Sequence, residues 1–454
     1  YHRMSPRFDL KKGFDISLEG CSSNKVGNNY SVNSYAVKPT DFIGITRPKL
    51  LVEVGDEVKA GSPILFDKLS EKIMYCSPVS GEISDIIRGD KRRLEEIRIL
   101  PDKDNIHRKF KKFTEEDVKS LDREKIIDHL CDSGVWPNII QRPFGHVADT
   151  NVSPKAIHIS FFDTSPLSPD YSSLYLDQKK HIEFGLKILA KLTDGKIHLN
   201  HNDESYKNFN IPDYENNIFS GPHPAGNVGV QIHHIDPINK DDVVWSTTPF
   251  GLSQIGRLFK DGIYDASKKI CLVGSSVSEP MFYECISGFS VKNLLSDKLK
   301  EDNVRVISGN VLSGTSISTD GYLGFYDNMI TVIPEGNNHE FLGWIMPIFN
   351  KLSFQRAFGL LSFLNPSKKY SLDTNTNGEL RAFVQSGIFE KVLPMDIYPT
   401  YLFKAILAND YDEMEELGIY ELIEEDVALC EFVDVSKNEI QKLLRRGLNM
   451  LNES

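Results

Sequence analysis

The sequence predicts a multidomain chain of mixed α/β and α+β class. Four units are expected: a barrel-like sandwich of short strands, a Rossmann-like parallel sheet, a β-grasp domain and a mainly helical C-terminal domain. Three observations predict this. Residues 30–100 carry short apolar runs broken at glycine-containing turns, residues 155–262 alternate strand-like and helix-like periods, and the chain after residue 345 shifts to helical spacing. A length of 454 residues calls for several cores, since domains of about 100–150 residues are usual. The expected boundaries are 1–104, 105–264, 265–340 and 341–454.

In the first unit, Val52–Gly61 places apolar residues around two glycines and a charged turn, and Pro63–Phe66 reads as a strand. Ile73–Gly81 is a strand entering a turn, and Glu82–Ile87 alternates with period two. From Glu115 to Leu130 the spacing of Val118, Leu121, Ile126, Ile127 and Leu130 predicts a helix, ended by Gly134 and Pro137. Ala156–Phe162 is a nearly continuous apolar strand. Helix 181–192, strand 196–200, strand 243–247 and helix 250–260 follow. Strand–helix–strand order argues a parallel sheet. Lys269–Gly274, Arg305–Gly309 and Asn328–Ile333 read as strands around a short helix at Phe289–Leu295, which suits a β-grasp. The final helix is marked by Ile440, Leu443, Leu444, Leu448 and Leu451.

The totals exclude several functions. Net charge is 52 − 64 = −12, which gives no basic excess for nucleic acid. The one basic run, Arg108–Lys112, reads as a solvated linker. Six cysteines, Cys21, Cys76, Cys131, Cys271, Cys285 and Cys430, show no zinc or iron–sulfur spacing and read as reduced cytoplasmic thiols. The sequence lacks any run of about 18 apolar residues that would span a bilayer, and no secretion leader is recognised. Met4 reads as the native start.

Catalytic signatures are missing as well. There is no Walker A loop, no Gly-x-Ser-x-Gly elbow, no His-Glu-x-x-His and no Gly-x-Gly-x-x-Gly after a strand. A dinucleotide needs that last motif for close approach of its pyrophosphate. The most distinctive loop is Gly221-Pro-His-Pro-Ala-Gly226. His223 in it reads either as a proton donor or as part of a structural turn. Asp163 follows a parallel strand, where α/β folds bind ligands, and reads either as a ligand contact or as a cap. His233 and His234 are expected on a strand, pointing to opposite faces, so no metal site is expected.

Two resemblances add to this reading. The strings Val54-Gly-Asp-Glu-Val-Lys-Ala-Gly-Ser-Pro-Ile-Leu65 and Ser77-Pro-Val-Ser-Gly-Glu-Ile83 resemble the turns of a biotinyl/lipoyl carrier barrel. The modified lysine of a carrier would be Lys68 or Lys72, but the Met-Lys-Met biotin signature is absent. Along the whole chain, seven strings together resemble the NqrA family of the Na+-translocating NADH:quinone reductases, in a Bacteroidetes-like version. They are Leu10–Ile16, Gln141–Phe144, Gly221–Gly226, Arg305–Gly314, Gly343–Pro347, Leu393–Pro399 and Glu424–Cys430.

That resemblance implies a biotinyl/lipoyl-like barrel sandwich, a Rossmann-like domain, an SLBB-like β-grasp and a helical C-terminal domain. It implies a peripheral subunit on the cytoplasmic side of the bacterial inner membrane, within an enzyme that couples electron transfer from NADH to quinone with Na+ export. Its partners would be the other subunits, chiefly the membrane component NqrB, with quinone nearby. It implies no cofactor in this chain, with FAD, FMN, riboflavin and 2Fe-2S on other subunits. The segment Gly134–Phe144 is the candidate contact for quinone or a partner. Trp136 and Phe144 would be its apolar anchors and Arg142 its carboxylate or carbonyl partner, with inter-domain packing as the alternative. Rival readings are a stand-alone carrier protein with a modified lysine and a non-catalytic module that binds a soluble ligand through the β-grasp.

Overall fold

The computed structural model describes residues 4–337, 339–343, 350–355, 364–384 and 387–454. Part of the string Gly343–Pro347, from residue 344 on, lies outside them. The chain starts with strand β1 (Arg7–Asp9), which does not join the barrel. The barrel is formed by β2 (Tyr35–Val37), β3 (Pro48–Leu50), β4 (Glu57–Val58), β5 (Pro63–Asp67), β6 (Ser70–Cys76), β7 (Gly81–Arg88) and β8 (Leu94–Pro101). These make a four-stranded sheet, β2-β8-β7-β4, and a three-stranded sheet, β3-β5-β6. Period-two alternation sends Ile64, Ile83, Ile97 and Ile99 into a core closed to solvent. The β5–β6 turn is held by buried Asp67, which accepts N–H bonds from Thr46, Arg47 and Leu69. Lys68 stands exposed at this tip, whereas Lys72 lies on β6 and pairs with Asp128 at 2.5 Å.

The basic run Arg108–Lys112 is a packed strap rather than a freely solvated linker. Arg108 pairs with Asp132 at 2.7 Å and lies over the Phe110 ring, while Phe110 N–H donates to Gly262 O. The single helix expected over Glu115–Leu130 is two, α1 (Glu115–Ser120) and α2 (Arg123–Asp132). Leu121 is extended, and Asp122 caps the second helix by accepting Lys125 N–H at 2.9 Å. Asp at an N-cap satisfies a donor that the previous turn would otherwise have to pair, so polarity at Asp122 overrides the apolar spacing.

The α/β unit continues with β9 (Ile140–Arg142), β10 (His146–Val147), β11 (Ala156–Ser160), α3 (Tyr171–Tyr175), α4 (Lys179–Leu189), β12 (Lys196–His201), α5 (Asp203–Phe209), β13 (Glu215–Ser220), α6 (Val228–Ile235), β14 (Val244–Thr247) and α7 (Pro249–Asp261). Its seven strands run in the order β1-β13-β12-β11-β14-β9-β10. The five from β1 to β14 are parallel, and the β9–β10 hairpin adds an antiparallel edge. The chain moves outward from β11 to β13 and then returns to β14 on the other side of β11, which makes β11 the switch point of the sheet. Helices α4 and α7 cross with their backbones nearly touching. A Cβ on Gly185 would lie 2.1 Å from Leu252 O, and one on Gly256 would lie 2.0 Å from His181 O.

The β-grasp unit holds β15 (Ser267–Val273), β16 (Met281–Ile286), α8 (Lys292–Leu295), β17 (Val304–Ser308), β18 (Thr315–Ile317) and β19 (Met329–Pro334), in sheet order β16-β15-β19-β17-β18. The expected helix at Phe289–Leu295 is shorter than its spacing implied. Phe289 and Ser290 instead bridge to Tyr35 and Tyr322, because burial of Phe289 against the barrel outweighs helical spacing. Lys38 Nζ donates to Tyr322 O at 2.7 Å and joins barrel to β-grasp.

The C-terminal unit contains α9 (Phe389–Val392), α10 (Pro399–Leu407), α11 (Tyr411–Glu416), α12 (Glu424–Val433) and α13 (Ile440–Glu453). They enclose Leu402, Phe403, Ile406, Met414, Val427, Leu444 and Leu448. Among the described residues no helix is long and apolar enough to cross a membrane.

The first thirty residues do not stay with the barrel. β1 lies against β13, Leu18 bridges Tyr370, and Val26 bridges Phe282 of β16. They therefore touch the α/β unit, the segment before α9 and the β-grasp before the barrel begins.

Candidate functional site

Three of the seven strings that carry the resemblance meet near the C-terminal ends of β11 and β13, and a fourth reaches them through the Arg142 side chain. Beyond β11, Asp163 turns the chain: its carboxylate accepts Ser165 N–H at 2.8 Å and Ser165 Oγ–H at 3.0 Å. The cap alternative describes these contacts. Thr164 Oγ1 accepts Gly226 N–H at 2.9 Å and lies 3.0 Å from His223 Nδ1. His223 is buried, its backbone N–H donates to Asp15 at 2.8 Å, and its carbonyl accepts Phe14 N–H. Thus Leu10–Ile16 and Gly221–Gly226 form one body. Burial lowers the imidazole's proton affinity, while Asp163, Asp15 and Asp426 pull it the other way.

The centre of the region is an ion pair. Arg142 ends β9 and is 1% exposed. Its Nη1 donates to Asp426 at 2.8 Å and to Glu421 O at 3.1 Å, and Nη2 reaches Glu425 at 3.2 Å. Asp426 also accepts Ile423 N–H at 3.0 Å. Two buried atoms here, Arg142 Nε and Asp426 Oδ1, have no partner. The pair is pressed against the first turn of α6. A Cβ on Gly229 would lie 2.6 Å from Arg142 Nη1 and 2.7 Å from Asp426 Oδ1, so only glycine fits. Asn227, at the N-cap of α6, donates its side chain to Glu425 O at 3.1 Å. Burial, then the neighbouring Asp426 charge, pushes the Glu425 carboxyl up to about 7, with Arg142 opposing.

In an open α/β sheet, ligands enter the crevice outside the carboxyl ends of the strands. Here that crevice receives the start of α12 instead. Glu425 and Asp426 stand at the N-terminus of α6, where a helix dipole favours an anion. A pyrophosphate would meet Asp15, Asp163, Glu425 and Asp426, all of its own sign.

The expectation of an exposed contact at Gly134–Phe144 is corrected. Trp136 is 0% exposed, donates its indole N–H to Ala148 O at 2.8 Å and meets Trp245 edge to face. Arg142 is sealed in its ion pair, and only Phe144 is half-exposed, beside Tyr420 and His146. Trp136 serves the interior of its own unit, while the C-terminal unit covers the β9–β10 hairpin through Arg142 and Phe144. His233 and His234 are also corrected: they lie on α6, not on a strand. His233 bonds Glu421 at 2.8 Å and accepts Asp396 N–H, and His234 bonds Pro394 O at 2.7 Å. Both histidines thus hold the C-terminal unit to the α/β unit. Among the described residues no three ligating side chains are placed to hold a metal ion.

Sequence reasoning missed Asp15, Glu421, Glu425 and Asp426 as members of this centre. The signal was present: three acids opening a helix, with an arginine far upstream. Neither alone shows which charge meets which.

Comparison with known proteins agrees with this architecture. Residues 8–102 match the NqrA N-terminal barrel-sandwich hybrid domain, 121–264 the NqrA second alpha/beta domain, and 269–319 the NQRA C-terminal domain. The chain is 36% identical over 446 residues to the Na(+)-translocating NADH-quinone reductase A subunit of Rhodopirellula baltica, covering 97% of each. It is 35% identical over 446 residues to that of Yersinia pestis bv. Antiqua, covering 98% of this chain and 99% of the relative. For Hahella chejuensis the figures are 35% over 448 residues, with 98% and 99% covered. With similarity running through barrel, α/β sheet and β-grasp alike, the chain belongs to the NqrA family of the Na+-translocating NADH-quinone reductases.

Proposed function

We propose that this chain is a peripheral subunit without a redox group of its own, docked chiefly on the membrane component NqrB at the cytoplasmic side of a bacterial inner membrane. The assembled enzyme passes electrons from NADH to quinone and exports Na+; FAD, FMN, riboflavin and 2Fe-2S sit on the other subunits. One observation supports the reading above all: the α/β crevice is filled from within by Glu425 and Asp426, bound to Arg142. A surface that has closed its own ligand crevice is suited to holding a shape and meeting partners. Of the residues first considered for quinone, Phe144 alone has exposed surface to offer.

The test has two parts. The purified chain should show no flavin absorbance and no NADH oxidation, and affinity capture from native membranes should recover the other subunits of the reductase. A yellow protein with a flavin spectrum, or capture without those subunits, would count against the reading. Lys68 at the exposed β5–β6 tip keeps the carrier alternative open to one measurement: intact mass should equal the unmodified sequence.

A further inference from the structure

The C-terminal helices carry an acidic, aromatic face that the site above does not use. Tyr398, Tyr401, Leu407 and Tyr411 are 60%, 49%, 46% and 43% exposed. The rings of Tyr398 and Tyr401 lie 6.3 Å apart, nearly at right angles. On their inner side the same helices bury Leu402, Phe403, Ile406 and Met414, so the outer residues are not needed for the core. Large apolar groups gathered on a surface mark interaction sites, and tyrosine is a favoured anchor in interfaces.

The charge around them says what kind of partner fits. Residues 396–416 contain six carboxylates, Asp396, Asp410, Asp412, Glu413, Glu415 and Glu416, and one lysine, Lys404. Asp410 caps α11 by accepting Glu413 N–H at 3.1 Å, and Glu415 pairs with Lys240 at 2.8 Å. Asp412, Glu413 and Glu416 face water. Such an edge is repelled by an anionic lipid surface, and the chain's net charge of −12 adds to the repulsion. It attracts a cationic segment. Loops of membrane proteins on the cytoplasmic side are enriched in Lys and Arg near the bilayer.

We propose that the Tyr398–Glu416 face docks a Lys/Arg-rich segment carrying apolar residues, supplied by a water-facing loop of the membrane sector. This rests on the peripheral-subunit reading above and specifies its surface. Tyrosines would seat the apolar residues, and the carboxylates would steer and orient the cations.

The experiment uses the full chain and membranes that hold the rest of the reductase but lack this component. The wild-type chain should cosediment with them saturably, at least about tenfold more weakly at high than at low salt, since screening shortens the reach of exposed charges. A Tyr398→Ser/Tyr411→Ser variant and an Asp412→Lys/Glu413→Lys/Glu416→Lys variant should each rebind about tenfold or more weakly, with melting temperatures unchanged. If both rebind as the wild type does, this face is not the docking surface, while the peripheral-subunit reading stands. If the wild type itself does not rebind, both fall. Equal binding to protein-free phosphatidylglycerol vesicles would overturn the choice of a protein loop over lipid. Loss of self-association in place of membrane rebinding would overturn it in favour of a second copy.

Discussion

Two groups of acids in the C-terminal unit differ in what surrounds them. Asp426 near the start of α12 turns inward onto Arg142, with Glu425 at the edge of the pair, while Asp412, Glu413 and Glu416 on α11 face water. The side chains are of one kind and the physics is opposite. An inward charge must find a counter-charge, since removing one partner of a buried pair costs about 3–5 kcal/mol. An outward charge costs almost nothing to remove and is available to partners. The first group fixes how two units meet; the second leaves a surface for others.

The sharpest way to break this contrast is Arg142→Met. It strands Asp426, which is 1% exposed, and should lower unfolding free energy by about 3–5 kcal/mol in denaturant titration. The double variant Arg142→Met/Asp426→Leu should recover part of that loss, because the buried carboxylate goes with its partner and only Glu425, at the exposed edge of the pair, still lacks the arginine. Next is Gly229→Ala, whose methyl would enter the space beside the ion pair; overpacking of this kind costs about 1–3 kcal/mol, to be read as a lowered melting temperature.

A smaller effect concerns pH. Glu425 is raised from an ordinary 4.5 to about 7, so the folded state holds its proton more tightly than the unfolded chain does. Stability from this group is present below 4.5 and is lost as pH rises through about 7. Glu425→Gln should therefore stabilise the protein above pH 7 and change little near pH 4.5, in melting curves taken across that window. The smallest effect belongs to the outward group: Asp412→Lys should shift folding stability by less than about 0.5 kcal/mol in the same assay.

The fold was legible where one period dominates. The barrel strands announce themselves through Gly-containing turns and alternation, and the sheet strand at Ala156 through a nearly continuous apolar run. Legibility failed where a polar group or a distant partner decides. Asp122 split a helix that apolar spacing had joined. Phe289 left its helix for the barrel, and His233 and His234 proved helical because α6 meets the C-terminal unit. The candidate site was half legible. His223 and Asp163 were singled out from loop chemistry, whereas Trp136 and Arg142 were read as a quinone or partner contact, with inter-domain packing as the alternative, and both are buried. Burial of Arg142 depends on a unit 279 residues downstream, whose Glu421 carbonyl receives it, and no local pattern contains it; Trp136 is buried within its own unit, against Trp245.

The path of the opening thirty residues bears on how the molecule comes together. Leu10 N–H donates to Ser220 O, and Leu18 meets Tyr370, so these residues are seated by segments far from them along the chain. Contacts of such sequence separation are entropically slow to close. Residues 7–26 act as a clasp across the α/β unit, the segment before α9 and the β-grasp.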